Sequence, residues 1–186
     1  MKRAALILAR GFEESEALSM ADILRRADLI CELTGLKEVI VEGAHGIPVK
    51  CDRLLGPDTA DYDMILLPGG YGAVDEMCES GELLEILQKM NRNGKFITAL
   101  CAAPAVLAKA GILEGKSYTA YTGYGEKISQ GTYVKKPVVT DGNLITGMGP
   151  AMAYAVAYEA AQALGGDAQA VKDRMLYDHS FQEVDQ

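Results

Sequence analysis

Basic charge is in short supply: 18 lysines and arginines face 26 acidic residues, for a formal net charge of −8 over 186 residues. That balance argues against non-specific nucleic-acid binding, which relies on lysine and arginine to neutralise phosphates. Histidine is scarcer still, with only His45 and His179, and tryptophan is missing altogether. The four cysteines, Cys31, Cys51, Cys78 and Cys101, stand 20 or more residues apart with no C-x-x-C pair, so zinc-finger spacing is absent and no metal ligand set emerges. No uncharged stretch reaches the ~20 residues of a membrane-spanning helix. The apolar stretch Phe96 to Ala108 falls short and contains Pro104. The apolar run Ala4–Ala9 behind Met1-Lys2-Arg3 imitates an export signal, but it stops at Arg10 with no A-x-A pattern after it, and reads as a first buried strand.

What is present is an ordinary globular composition, 49% apolar and 24% charged. A chain of this length is expected to bury roughly 70% of its unfolded surface, so neither disulfides nor a structural metal is required. The expectation is one domain over residues 1–186, cytoplasmic, with its thiols reduced.

Short apolar runs alternate with segments of helical period, the pattern of parallel strands joined by crossover helices. Strands are expected at Ala4–Ala9, Ile30–Thr34, Met64–Leu67, Phe96–Leu100, Tyr118–Ala120 and Leu144–Thr146. Ala4–Ala9 and Met64–Leu67 lack alternation, which calls for helices on both faces of a central sheet. Hairpins are expected where Val39–Val41 and Ile47–Val49 flank Gly43-Ala44-His45-Gly46, and where Val138–Thr140 and Asn143–Ile145 flank Asp141-Gly142. Helices are expected at Ser15–Ala27, Glu82–Asn91, Pro104–Ala110, Ala151–Leu164 and Asp167–Leu176, with Gly94, Gly111 and Gly165 at C-cap positions.

Cys101 carries the most chemical information. It follows a buried strand directly and precedes a helix starting near Ala102–Pro104, so an elbow would hold its side chain at the carboxyl edge of the sheet, where open α/β folds place their sites. The helix dipole and unsatisfied backbone N–H groups there favour a thiolate and can hold an oxyanion. A small buried hydrophobe is the plain alternative. Leu67-Pro68-Gly69-Gly70-Tyr71-Gly72 ends another buried strand at the same edge, and its glycines let backbone N–H groups approach a ligand. Taken alone it reads as a turn, and it matches neither a phosphate loop nor a dinucleotide fingerprint. Glu13, Glu14 and Glu16 lead into the first helix from that edge; a carboxylate can point into a shared cleft, although acids in a first helical turn are ordinary dipole complements. No histidine base for Cys101 is evident, since His45 falls in a hairpin turn and His179 in the charged C-terminal tail.

Together the segments Leu8-Ala9-Arg10-Gly11-Phe12-Glu13-Glu14-Ser15-Glu16, Ile65-Leu66-Leu67-Pro68-Gly69-Gly70, Ala99-Leu100-Cys101-Ala102-Ala103-Pro104 and Gly147-Met148-Gly149-Pro150 resemble, in order and spacing, the DJ-1/PfpI (ThiJ) family, most closely its DJ-1 branch. The likeness runs to about Gly165 and takes in Asp22, Arg25-Arg26 and Pro48 to Arg53. It implies a flavodoxin-like three-layer sandwich, usually dimeric, with no cofactor. It pairs Cys101 as nucleophile with Glu16, assigns the backbone amides of Gly70 and Ala102 to an oxyanion pocket, and adds Gly69, Tyr121, Pro150 and Arg53 to the surroundings, Arg53 reaching toward the partner subunit. A protonated Glu16 could donate to a Cys101 thiolate, lowering the thiol pKa while its own rises, and the same bond would hold a sulfinate after oxidation. There are departures. Tyr121 stands near the place of the branch's usual pocket histidine, Met148 where relatives often carry arginine, and Ala151 for a frequent glycine.

The activity implied is cysteine-dependent chemistry on reactive dicarbonyls or their adducts, of glyoxalase or deglycase type. Cys101 would add to an aldehyde carbon, the Gly70 and Ala102 amides would hold the oxyanion, and Glu16 would shuttle protons. The alternative is a non-catalytic redox sensor or oxidative-stress protein. A peptidase or chaperone role is weaker, because no histidine follows Cys101 directly. The expected partners are a small aldehyde, dicarbonyl or glycated substrate and a second copy of the chain, with no nucleic acid and no membrane.

Overall fold

The computed structural model describes residues 1–181. In chain order the elements are β1 Arg3–Leu8, α1 Glu14–Arg26, β2 Ile30–Gly35, β3 Ile40–Glu42, β4 Pro48–Lys50, β5 Arg53–Leu54, β6 Met64–Leu67, α2 Tyr71–Glu79, α3 Gly81–Arg92, β7 Phe96–Leu100, α4 Pro104–Lys109, β8 Ser117–Tyr118, β9 Thr132–Tyr133, β10 Val138–Asp141, β11 Leu144–Gly147, α5 Ala153–Ala163 and α6 Ala168–Arg174. Seven strands form one sheet in the order β10-β11-β7-β6-β1-β2-β5. All neighbours are parallel except β10, which pairs antiparallel with β11.

Ala4 to Leu8 and Met64 to Leu67 are buried without interruption, as central strands covered on both faces must be. Helices α1 and α5 pack on each other, with α1 against β2 and α5 against β7 and β11; α2, α3 and α4 pack together, with α3 and α4 also on β7. This mostly parallel sheet between helices is the flavodoxin-like sandwich. Asp63 ties the amino ends of the central strands together by accepting from Lys2 Nζ at 2.8 Å, the Arg3 N–H at 3.0 Å and Lys95 Nζ at 3.4 Å.

Several elements differ from the sequence expectation. Tyr118–Ala120 is not a strand of the main sheet: β8 ends at Tyr118 and pairs with β9, because the Thr119 N–H is taken by Thr146 Oγ1 and the chain then turns so that the Tyr121 N–H reaches the Cys101 carbonyl. The second hairpin turns one residue later than Asp141-Gly142. Asp141 pairs with Leu144, and Gly142, at φ +64°, supplies the positive φ at the first of the two loop positions. Helix α2 was not expected, and the last long helix starts at Ala153 because Pro150–Met152 forms a 3-10 turn first.

Chain order leaves β1 for β2 on one side and returns to β6 on the other, so the strand sequence reverses between β1 and β6. In open parallel sheets that reversal opens a crevice at the carboxyl ends of the strands. The loops after β1, β6 and β7 all empty into it.

Candidate active site

Cys101 is the first residue after β7, and its φ of +61° lies in the left-handed region, which costs a non-glycine residue about 1–3 kcal/mol. Three backbone hydrogen bonds hold it there. The Cys101 N–H donates to the Gly147 carbonyl at 2.9 Å, the Cys101 carbonyl accepts from the Tyr121 N–H at 2.8 Å, and the Ala103 N–H closes a turn on Leu100 at 2.9 Å. The side chain that results is only 8% exposed and sits ahead of α4, whose first residue is Pro104.

Glu16, in the first turn of α1, is fully buried, and its Oε2 accepts from the Gly69 N–H at 2.6 Å. Its Oε1 is buried without a conventional donor, and the other group this carboxyl meets is the Cys101 thiol. Burial pushes Glu16 up to about 7, against the downward pull of Gly69 and Cys101. The Cys101 thiol answers to the same burial and to the same carboxyl. Burial pushes it up, the charge and hydrogen bonding of a Glu16 carboxylate push the same way, and the Ala102 N–H opposes them. The two groups therefore ionise as a pair: one negative charge is accommodated near neutrality and a second is resisted. That charge rests on the sulfur only when the carboxyl keeps its proton.

Glycine is obligatory beside them. A Cβ on Gly69 would come within 2.8 Å of the Cys101 Cβ, and one on Gly70, at φ +98°, would collide with the Gly11 carbonyl. Among the described residues the Gly70 and Ala102 N–H groups have no backbone acceptor. The Ala102 N–H is directed at the Cys101 sulfur, and Gly70 lines the same cleft.

A cleft of about 250 Å³ opens over Cys101, Glu16 and Gly70. Tyr121 and Pro150 form part of its wall, and Tyr71, stacked on Tyr124 with ring centroids 5.4 Å apart, forms another. Cys101, Glu16, Gly69, Gly70, Ala102, Tyr121 and Pro150 are thus brought together. Arg53 is not. Within this chain it is held by Asp58, at 2.7 and 2.8 Å, and by the Tyr62 hydroxyl at 3.1 Å, away from the cleft lining. Cys31 and Cys51 are buried, and burial pushes their thiols up to about 12 and about 11.

The chain belongs to the DJ-1/PfpI family. The family's sequence profile matches residues 2–163. Protein dj-1beta of Drosophila melanogaster is 40% identical over 176 residues, covering 89% of this chain and 90% of that protein. The crystal structure of Drosophila melanogaster DJ-1beta superposes with a TM-score of 0.90 at 39% identity, covering 94% of this chain and 97% of the other. The protein named deglycase PfpI from Pyrococcus furiosus is 30% identical over 152 residues, 79% of this chain and 90% of its own.

One residue of this DJ-1/PfpI cleft escaped sequence reasoning. His45, at the tip of the β3–β4 hairpin, lines it together with Ala44. The hairpin is folded onto the start of α1: the Gly11 N–H donates to Glu42 and the Ala44 N–H to Phe12, both at 2.8 Å. Buried Glu14 then accepts from the His45 N–H at 2.7 Å and lies 2.8 Å from His45 Nδ1. Although burial raises Glu14, these bonds and one from Ile47 hold it below its ordinary value, while the Glu14 hydrogen bond and the Glu13 charge raise the imidazole. Glu13, Glu14 and His45 bring one ligand atom each within 4.8 Å of one another. Because Glu14 already accepts from the His45 and Ile47 N–H groups and faces Nδ1, the arrangement is a hydrogen-bonded acid–imidazole pair rather than a metal centre. A turn histidine carries no local signal of what lies opposite it, and nothing short of the tertiary contact marks this one.

Proposed function

We propose that this DJ-1/PfpI protein converts small reactive dicarbonyls, or cleaves their adducts, by cofactor-free cysteine chemistry of glyoxalase or deglycase type. The observation that carries the reading is the strained Cys101 elbow against buried Glu16, with the Ala102 N–H at the sulfur and Gly70 lining a small cleft. Sulfur adds to the aldehyde carbon, the C=O electron pair moves to oxygen, and the Gly70 and Ala102 amides receive that charge. Glu16 accepts and returns protons at sulfur and oxygen. In the hemithioacetal, the proton on C1 moves to C2 while the C1 hydroxyl proton passes to the C2 oxygen. C1 is thereby oxidised to the acyl level as C2 is reduced to an alcohol, and no external electrons are needed. Water then cleaves the C1–S bond, releasing a hydroxy acid and the thiol. Purified protein is expected to form lactate from methylglyoxal and Cys101→Ser to form none; equal rates would overturn the reading.

A redox-sensing role is favoured by a separate observation. A protonated Glu16 and the Ala102 N–H are already placed to hydrogen-bond a sulfinate on Cys101. We further propose a homodimer in the reducing cytoplasm. No helix among the described residues is long and apolar enough to cross a membrane, whereas Leu18, Ile40, Ile47 and Leu54 are exposed apolar side chains that a second copy would cover. Sedimentation at micromolar concentration should show a dimer, and Arg53 would then face the partner.

A further inference from the structure

We propose that His45 is the catalytic acid–base that carries the carbon-bound proton in this cleft, oriented by the buried Glu14 carboxylate. This rests on the dicarbonyl reading above. The reaction contains two kinds of proton transfer, and Glu16 is suited to only one. It lies fully buried beside the sulfur with Oε2 tied to Gly69, so its proton traffic is with the sulfur and the oxygen next to it. The carbon chain of a hemithioacetal must extend from the sulfur into the open cleft, and His45 stands on the wall it meets.

The imidazole is built for that task. Nδ1 faces Glu14 Oε2 at 2.8 Å, which fixes that nitrogen as the protonated one and leaves Nε2 as the basic atom. Glu14 is 4% exposed and anchored by the His45 and Ile47 N–H groups, whereas the imidazole itself is 68% exposed. The buried acid therefore orients a ring whose other edge is free. Neutral Nε2 removes the C1 proton as the C1–H electron pair becomes the C1=C2 bond and the C2=O π pair moves to the C2 oxygen; that oxygen receives the C1 hydroxyl proton, the C1–O pair re-forms C1=O, and the C1=C2 pair takes the proton back from the imidazolium at C2.

The charged and titratable groups around the ring are Glu13 and Glu14 from the start of α1 and Glu16, Cys101, Tyr71 and Tyr121 across the cleft. The two acids nearest the ring favour the imidazolium, so the rise of activity with pH that reports the free base is displaced above the usual imidazole range.

The test compares His45→Asn with wild type, because the asparagine amide retains a donor where Nδ1 was while Nε2 is lost. With methylglyoxal, kcat should fall roughly 10²–10⁴-fold, the contribution typical of a general acid–base. KM should change little, the imidazole limb of the pH profile should vanish, and iodoacetamide should alkylate Cys101 as in wild type. Added imidazole should restore part of the activity of His45→Ala. Wild-type kcat and pH profile in His45→Asn would overturn the assignment and leave the dicarbonyl reading standing. Alkylation falling in parallel with kcat would also overturn it, since His45 would then act on the thiol. No lactate from wild type would sink both.

Discussion

Replacing Glu16 separates the two things it does to Cys101, carrying a competing charge and offering a proton. In Glu16→Gln the charge is gone. The only amide orientation that satisfies the Gly69 N–H, which now meets Oε2 at 2.6 Å, puts the amide oxygen on Gly69 and leaves the NH₂ as the donor available to a thiolate at Cys101. Glu16→Leu also removes the charge but gives the thiolate no donor. A hydrogen bond to a charged group contributes about 1.5–3 kcal/mol, so the Cys101 pKa should lie roughly one to two units lower in Glu16→Gln than in Glu16→Leu, at ~1.4 kcal/mol per unit. Both should ionise in one step, whereas wild type should show two: a first proton lost near the value of about 7 that burial gives Glu16, and a second well above it. Ultraviolet thiolate absorbance, taken as a difference from Cys101→Ser, reads this directly. Cys31 and Cys51, raised to about 12 and about 11, stay silent over the working range. The amplitude of the first wild-type step also reports how much of the shared charge sits on sulfur. Superimposable curves for Glu16→Gln and Glu16→Leu would refute a hydrogen bond between residue 16 and the thiolate.

Mild peroxide should convert Cys101 to sulfinate before any other cysteine, because Cys101 opens on the cleft and has both the Ala102 N–H and the Glu16 carboxyl beside its sulfur; peptide mass mapping that finds Cys51 or Cys78 oxidised first would displace the site. Gly70→Ala forces a side chain onto the Gly11 carbonyl at φ +98° and should cost at least about 2 kcal/mol in urea unfolding while abolishing turnover. Asp63 is held at about 2: burial raises it, but the bonds from Lys2, Arg3 and Lys95 outweigh that. Because its folded pKa is depressed, its contribution is present above pH 3.8 and lost as pH falls toward 2, so Asp63→Ala should cost about 2 kcal/mol at neutral pH and little at the acid end.

The central strands were legible in the sequence because unbroken runs such as Met64–Leu67 have no other comfortable place, and the elbow because Cys101 stands between such a run and a proline. Glycines 94, 111 and 165 adopt the positive φ that helix C-caps ask for. Helix α2 stayed hidden because it opens with Tyr71-Gly72 and buries only Ala73, Val74 and Met77, too few positions for a visible period. What the sequence could not convey at Cys101 is depth: motif spacing shows that an acid is near but not how deeply both groups are buried. His45 was passed over because its partner is 31 residues away and joins it only when the hairpin folds onto α1.

That fold-over depends on Gly43. A Cβ there would overlap the Glu14 carboxyl, so any larger residue would evict the acid from beneath His45. Gly43, Glu14 and His45 thus form a unit whose members gain value only together, which amounts to a rule of inheritance. A lineage that acquires the histidine without the glycine carries an imidazole with no anchor, and nothing then favours its retention. Among relatives, histidine at this hairpin tip should travel with glycine two positions earlier and an acid at the start of the first helix. Histidines found as freely behind bulky residues would show that selection never saw the pair.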